Sequence, residues 1–326
     1  MSFAIPRRRA LAAALALPFL AVRTAAAFPD RPLRLVLGFP AGTGPDLVAR
    51  LLADGLREAW PQGVVVDNKP GAAGFIAAQE VAKSAAPDGY TLLLGEVGQL
   101  AMAPSTYARL PYDPAKDFAP ILEVASADFA FVVPASLPVS DMAGYVAWAK
   151  AQRSVFLATF GAGTPGHFGA AMLASAAGFN GEPVHFRATG DAVAAVLNGQ
   201  SQGMFGTVAL VTPHVRGGRM KALAVTGPAR APLLPDVPTV GELNLPSLAF
   251  SAWFGVVAPA AVPEAVQTSI EGSMRKALQG QALRARLEEA GFRPGGEGRQ
   301  AFAALMRSET RRWAEVVRQT GFQAID

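Results

Sequence analysis

GFPAGTGPDLVAR, residues Gly38–Arg50, is a glycine-rich turn set between an apolar run, LRLVL at Leu33–Leu37, and an amphipathic stretch. From Asp46 to Trp60 the apolar residues Leu47, Val48, Leu51, Leu52, Leu56, Ala59 and Trp60 recur on one helical face. Pro45 suits the first helical position, where its missing amide costs nothing, and Asp46 complements the positive end of the helix dipole. The free amides around Ala41, Gly42, Thr43 and Gly44 then form an anion site that needs no charged side chain, and Thr43 adds a hydroxyl. A phosphate-hydrolase loop would carry Lys after its last glycine, and none stands here.

The pattern has an echo. VFLAT (Val155–Thr159), FGAGTPGHF (Phe160–Phe168), a helical AAMLASAAGF and PVHF (Pro183–Phe186) repeat the order strand, glycine loop, helix, strand over about thirty residues. Further short apolar runs lie at Val64–Val66, Thr91–Leu94, Phe129–Val133, Ala222–Val225 and Trp253–Val257, with helical segments between them. Such alternation predicts an α/β protein with largely parallel sheets, and the echo predicts two lobes that each offer a helix N-terminus. Gly161, Gly163 and Gly166 match the dinucleotide pattern G-x-G-x-x-G. The strand read at Val184–Phe186 is followed by Arg187 and preceded by Glu182, so the ribose-binding acid is out of place.

Catalysis finds no constellation. The chain has no cysteine, three histidines (His167, His185, His214), no G-x-S-x-G elbow and no histidine pair at metal-ligand spacing. The sequence reads as a binder without cofactor or metal, not an enzyme. Two alternatives stand: an exported hydrolase using His167, and a ligand-sensing receptor for a membrane signalling partner.

The N-terminus bears on location. Arg7–Arg9 form a basic head, Ala10–Val22 is uncharged and too short for a membrane span, and Ala25 and Ala27 give the small-x-small pattern of signal cleavage. Residues 1–27 read as a signal peptide cut before Phe28, for either the general or the twin-arginine route. They hold four arginines and no acid, so the remainder has 25 basic against 25 acidic side chains. The basic balance of the whole chain therefore does not argue for nucleic acid. The uncharged stretch Leu245–Pro263 contains Pro246, Gly255 and Pro259, which break a helix, and reads as a buried strand with loops.

Seven motifs follow one another in order: FPDRPLRLVLGFPAGTGPDLVAR (Phe28–Arg50), NKPGAAG (Asn68–Gly74), APDGYTLLLG (Ala86–Gly95), LPYDPAKDFAPI (Leu110–Ile121), PHVRGGRMKALAVTGPAR (Pro213–Arg230), LPDVPTVGEL (Leu234–Leu243) and WFGVVAPAAVP (Trp253–Pro263). The series resembles the Bug-type periplasmic solute receptors of tripartite tricarboxylate transport systems. That resemblance implies a bilobed, type II-like periplasmic-binding-protein fold, with two α/β lobes joined by two crossing strands near Ser126 and Leu248. Lobe 1 would comprise 28–126 and 248–326, and lobe 2 would comprise 127–247. It implies a monomer that closes on a small organic acid or amino-acid-like solute and delivers it to membrane permease subunits.

The resemblance also implies a ligand site. It comprises Phe39, Ala41, Gly42, Thr43, Gly44 and Asp46 in the first glycine loop, and Gly161, Ala162, Gly163, Thr164 and His167 in the second. Glu96 follows the third strand, and Arg187, Ala188, Thr189, Asp191 and Thr207 complete the wall. Several positions depart from the family pattern. Thr43 interrupts the glycines, Pro45 takes a hydroxyl position, Ala188 replaces a glycine, and Gln202 and Gly206 stand where aspartates are usual. Glu96 stands where a small polar residue is usual, and a carboxylate there disfavours a plain tricarboxylate.

Overall fold

The computed structural model describes residues 28–326, and the signal peptide expected at 1–27 lies outside them. Ten strands order the fold: β1 Leu33–Leu37, β2 Val64–Asn68, β3 Thr91–Glu96, β4 Phe118–Pro134, β5 Val155–Thr159, β6 Gly181–His185, β7 Gly203–Thr207, β8 Met220–Val225, β9 Ser251–Pro259 and β10 Arg293–Pro294. Between them run α1 Gly44–Gly55, α2 Phe75–Lys83, α3 Ala103–Thr106, α4 Met142–Lys150, α5 Pro165–Ala177, α6 Thr189–Leu197, α7 Val208–Arg216, α8 Glu264–Gln279, α9 Gln281–Glu289 and α10 Arg299–Thr320. Leu33, Leu35, Val36 and Leu37 are all buried, as expected of a strand covered on both faces.

The chain forms two α/β lobes. In the first lobe the strand order is β2-β1-β3-β9-β4, with β10 on the outer side of β4. In the second, β4 lies between β8 and β7, and β5 and β6 follow β7. A single 17-residue strand, β4, therefore serves both sheets. Its residues Phe118–Asp128 pair with β9, and Phe129–Val132 pair with β7. At the changeover the Phe129 amide donates to the Thr226 hydroxyl at 2.9 Å, and Arg293 pairs with Asp128. The chain returns to the first lobe through the short turn Pro246–Leu248 and enters β9.

Three expectations need correction. The sheets are not largely parallel: among the described residues four strand pairs run parallel and five antiparallel. The glycine-loop units are parallel, whereas the crossing strands β4 and β9 run against their neighbours. The first helix ends at Gly55 rather than Trp60. Pro61 disfavours helical backbone at the residue before it, yet Trp60 still packs into the core at 1 % exposure. The strand read at Val184–Phe186 is β6, Gly181–His185, so Glu182 lies within it rather than before it. Pro183 is tolerated because β6 is the outer strand of its sheet.

The last helix ties the lobes together. In the first lobe Phe302 fills the space over Gly255, where any Cβ would lie 2.0 Å from its ring. Trp313 of the same helix meets Phe168 of α5 and Phe250 at ring separations of 5.9 and 6.2 Å. Beyond α10, Phe322 packs on His167 and Phe168. Ile325 exchanges backbone bonds with Thr106 and Ala108, both 2.9 Å. The C-terminal segment thus touches the second lobe through Phe322 and the first through Ile325.

Candidate functional site

The loops that leave β1, β2, β3 and β5 converge on a cavity of about 520 Å³ between the lobes. This is the carboxyl end of the parallel strands, where open α/β sheets place their ligands. Gly38, Phe39 and Pro40 come from the first loop, and Gly71, Ala73, Gly74 and Phe75 from the second. Glu96 ends β3, Gly98, Thr106 and Tyr107 follow it, and Phe160–Pro165 close the wall from the other lobe.

Gly38 is required by close approach. A Cβ there would sit 2.4 Å from the Gly74 Cα and 2.7 Å from Gln99 Nε2. Gln99 is fully buried and ties three loops, since its Nε2 donates to the Gly74 carbonyl at 2.9 Å and its backbone carbonyl accepts from the Tyr112 hydroxyl.

Among the described residues, Glu96 is the one acidic or basic side chain on the cavity wall. Its Oε2 accepts from the Gly98 amide at 2.8 Å and its Oε1 from the Gln99 amide at 3.0 Å. Burial pushes its carboxyl above the ordinary range, and the two amides oppose that shift. Burial, and secondly the charge of Glu96, push the neighbouring Tyr107 and Tyr112 phenols upward as well.

On the opposite wall α5 begins at Pro165. Thr164 caps it, accepting from the His167 amide at 3.3 Å and donating to the Gly161 carbonyl at 2.9 Å. Gly161 and Gly163 adopt φ of 114° and 74°, which side chains with a Cβ resist. Their turn presents the amides of Gly161 and Ala162 with no acceptor among the described residues, in front of the positive end of a 13-residue helix.

Of the residues expected from sequence, Phe39, Glu96, Gly161, Ala162, Gly163 and Thr164 line this cavity. Ala41, Gly42, Thr43, Gly44 and Asp46 do not, because that turn is folded onto itself. Asp46, 3 % exposed, accepts from the Gly42 amide, Arg50 Nε and Asn68 Nδ2, each at 2.9 Å. The Thr43 hydroxyl donates to the Pro40 carbonyl at 2.7 Å. His167 stands behind the second loop, its Nδ1 accepting from the Gly163 amide at 3.1 Å. Arg187, Ala188, Thr189, Asp191 and Thr207 lie outside the lining.

Sequence reasoning missed the Gly71–Phe75 loop and Tyr107. The signal for the former was present, since NKPGAAG is a third junction of strand, glycine loop and helix. The latter gives none, because Tyr107 reaches the cavity where the chain turns extended directly after α3.

The Thr159 hydroxyl lies 2.6 Å from His185 Nδ1, and Thr159 is fully buried. Burial, then the neighbouring His185, lower the His167 imidazole to about 4, and its Nδ1 is already engaged.

Two lobes, a shared strand and a cleft walled by backbone-rich loops define a solute receptor of the periplasmic-binding-protein class. The chain belongs to the tripartite tricarboxylate transporter family receptors, whose family model matches residues 48–322. It is 33 % identical over 318 residues to the UPF0065 protein in the tcbD-tcbE intergenic region of Pseudomonas sp. (strain P51), covering 96 % of this chain and 94 % of that one. The solved structure of R. palustris Rpa4515 with adipate superposes with a TM-score of 0.81 at 30 % identity, covering 91 % of this chain and all of the other. The periplasmic binding protein BugD does so with a TM-score of 0.77 at 30 % identity, over 91 % and 100 % of the two chains.

Proposed function

We propose that this protein is exported, loses residues 1–27, and captures a small carboxylate-bearing solute between its lobes for delivery to a tripartite tricarboxylate-type permease. The observation that carries this reading is the pair of amides at Gly161 and Ala162 that find no acceptor among the described residues, on two residues that line the interlobe cavity in front of α5. Backbone amides at a helix N-terminus hold a carboxylate without a counter-charge, so the site can release its cargo. Support also comes from a relative of the same fold, R. palustris Rpa4515, whose structure holds adipate. On this reading the lobes hinge about β4 and the Pro246–Leu248 return, and closure brings the Phe160–Pro165 wall onto the solute.

The test is a thermal-shift screen of the purified protein, refolded to strip carried-over solute, against mono- and dicarboxylates, amino acids and aromatic acids. A specific solute at 100 times its Kd should add about 2.7 kcal/mol of stability. Gly163→Val, which places a β-branched residue at φ 74°, should abolish that shift while leaving a folded protein. A shift that survives in the variant would move the site away from this cleft.

A further inference from the structure

We propose that Glu96 seats an ammonium group, so that the solute is an amino-carboxylate rather than a di- or tricarboxylate; this inference rests on the receptor reading above. The cavity wall carries no Lys or Arg, and its one ionic side chain is an acid. Each Glu96 oxygen receives a single amide, from Gly98 or Gln99, and a carboxylate has about four acceptor positions. About two positions therefore remain, and no cation of the described residues acts on the group. Burial works against the ionised form and both amides work for it, so a positive partner is what would complete the charged state of this side chain.

A carboxylate held in a cleft that closes, with no partner of its own, is costly in the solute-bound state unless the solute brings the positive charge. A second solute carboxylate at that position would add like-charge repulsion in a site poor in water. The remaining wall suits a cation, since Tyr107, whose phenol feels the charge of Glu96, and the rings of Phe39 and Phe75 line the same cavity, and ring faces attract ammonium groups. The two ends of the site then differ in sign. The acid on the first lobe takes the ammonium, and the Gly161 and Ala162 amides on the second take the carboxylate. Such a solute joins the lobes electrostatically, and a uniformly anionic solute of the same length does not.

Calorimetric titration of the refolded protein with length-matched pairs tests this. The pairs are succinate with 3-aminopropanoate, glutarate with 4-aminobutyrate and adipate with 5-aminopentanoate, with aspartate and glutamate added. At least one amino-carboxylate should bind at least tenfold more tightly than its dicarboxylate counterpart. Glu96→Gln should reverse that order, weakening the amino-carboxylate and strengthening the dicarboxylate tenfold or more each. Glu96→Asp keeps the charge and should keep the order. Dicarboxylates that bind more tightly to the unmodified protein, whatever the variants do, overturn the ammonium subsite and leave the receptor reading intact. An amino-carboxylate preference unchanged in Glu96→Gln also overturns it. Failure of every probe to bind either form overturns the receptor reading itself, and the inference with it.

Discussion

The Gly163 amide donates to Nδ1 of His167 at 3.1 Å, which ties a turn of the cleft wall to an imidazole packed behind it. Nδ1 accepts only while the ring is neutral, so the contact is lost when the imidazole takes a proton. Burial, then His185, hold the His167 imidazole at about 4, whereas the unfolded chain titrates near the ordinary value of 6.5. Between those values the unfolded state binds the proton and the folded state does not. The stabilisation is therefore complete above pH 6.5 and is lost as pH falls toward 4, by about 3 kcal/mol. Urea midpoints at pH 7.5 and 4.5 should show this fall, and His167→Phe, which keeps an aromatic ring beside Phe168 and Phe322, should remove most of it. An equal fall in the variant would place the pH dependence elsewhere.

Asp46 also loses its contribution as pH falls, but here the folded protein favours the charged form and not the neutral one. The hydrogen bond from Arg50, against the cost of burial, and then those from Gly42 and Asn68 lower its carboxyl to about 2. Its contribution is present above the unfolded value of 3.8 and is lost as pH falls through 2. Asp46→Asn should cost about 2 kcal/mol at pH 7, measured by chemical denaturation, with the two proteins converging as pH approaches 2. A difference that stays constant down to pH 2 would mean that the turn is held by shape and not by charge.

Ala72 and Ala73 adopt φ of 46° and 52°, left-handed backbone that an L-residue with a Cβ resists. Left-handed backbone costs about 1–2 kcal/mol in such a residue, while glycine pays about 0.5–1 kcal/mol in added chain entropy. Ala73→Gly should therefore stabilise the protein by about 0.5–1 kcal/mol and raise Tm by about 1–4 °C. Ala73 lines the cleft, so the same variant should weaken solute binding if the strained loop is preorganised for the solute. A lowered Tm would show that the methyl group makes contacts worth more than the strain.

The parallel units were legible because their signals are local. Leu33–Leu37, apolar but for Arg34, and Val155–Thr159, apolar up to its last residue, are each followed by glycines and a proline-led helix, and each stands as a strand with its loop. The residues with exposed amides, Gly161 and Ala162, fell within the second loop. The antiparallel centre was not legible in the same way, because within β4 only Phe129–Val133 is apolar enough to notice. Its earlier half, Phe118–Asp128, mixes Glu123, Ser126 and Asp128 with apolar residues and becomes a strand through pairing with β9. In the first glycine loop the residues were right in kind but wrong in direction. Free amides for an anion were expected around Ala41–Gly44, and the Gly42 amide among them donates to Asp46. Only long-range partners such as Asn68, 22 residues away, reveal that turn to be closed.

The strand shared by both sheets has a consequence for the way the molecule comes apart. Melting either lobe strips one half of β4 of its neighbours and frees an edge that cannot persist alone in water. Helix α10, anchored over Gly255 on one side and against Phe168 on the other, would be stranded by the same event. Two halves that are distinct in outline are thus bound to a common fate, and heating should show one cooperative heat-absorption peak rather than two.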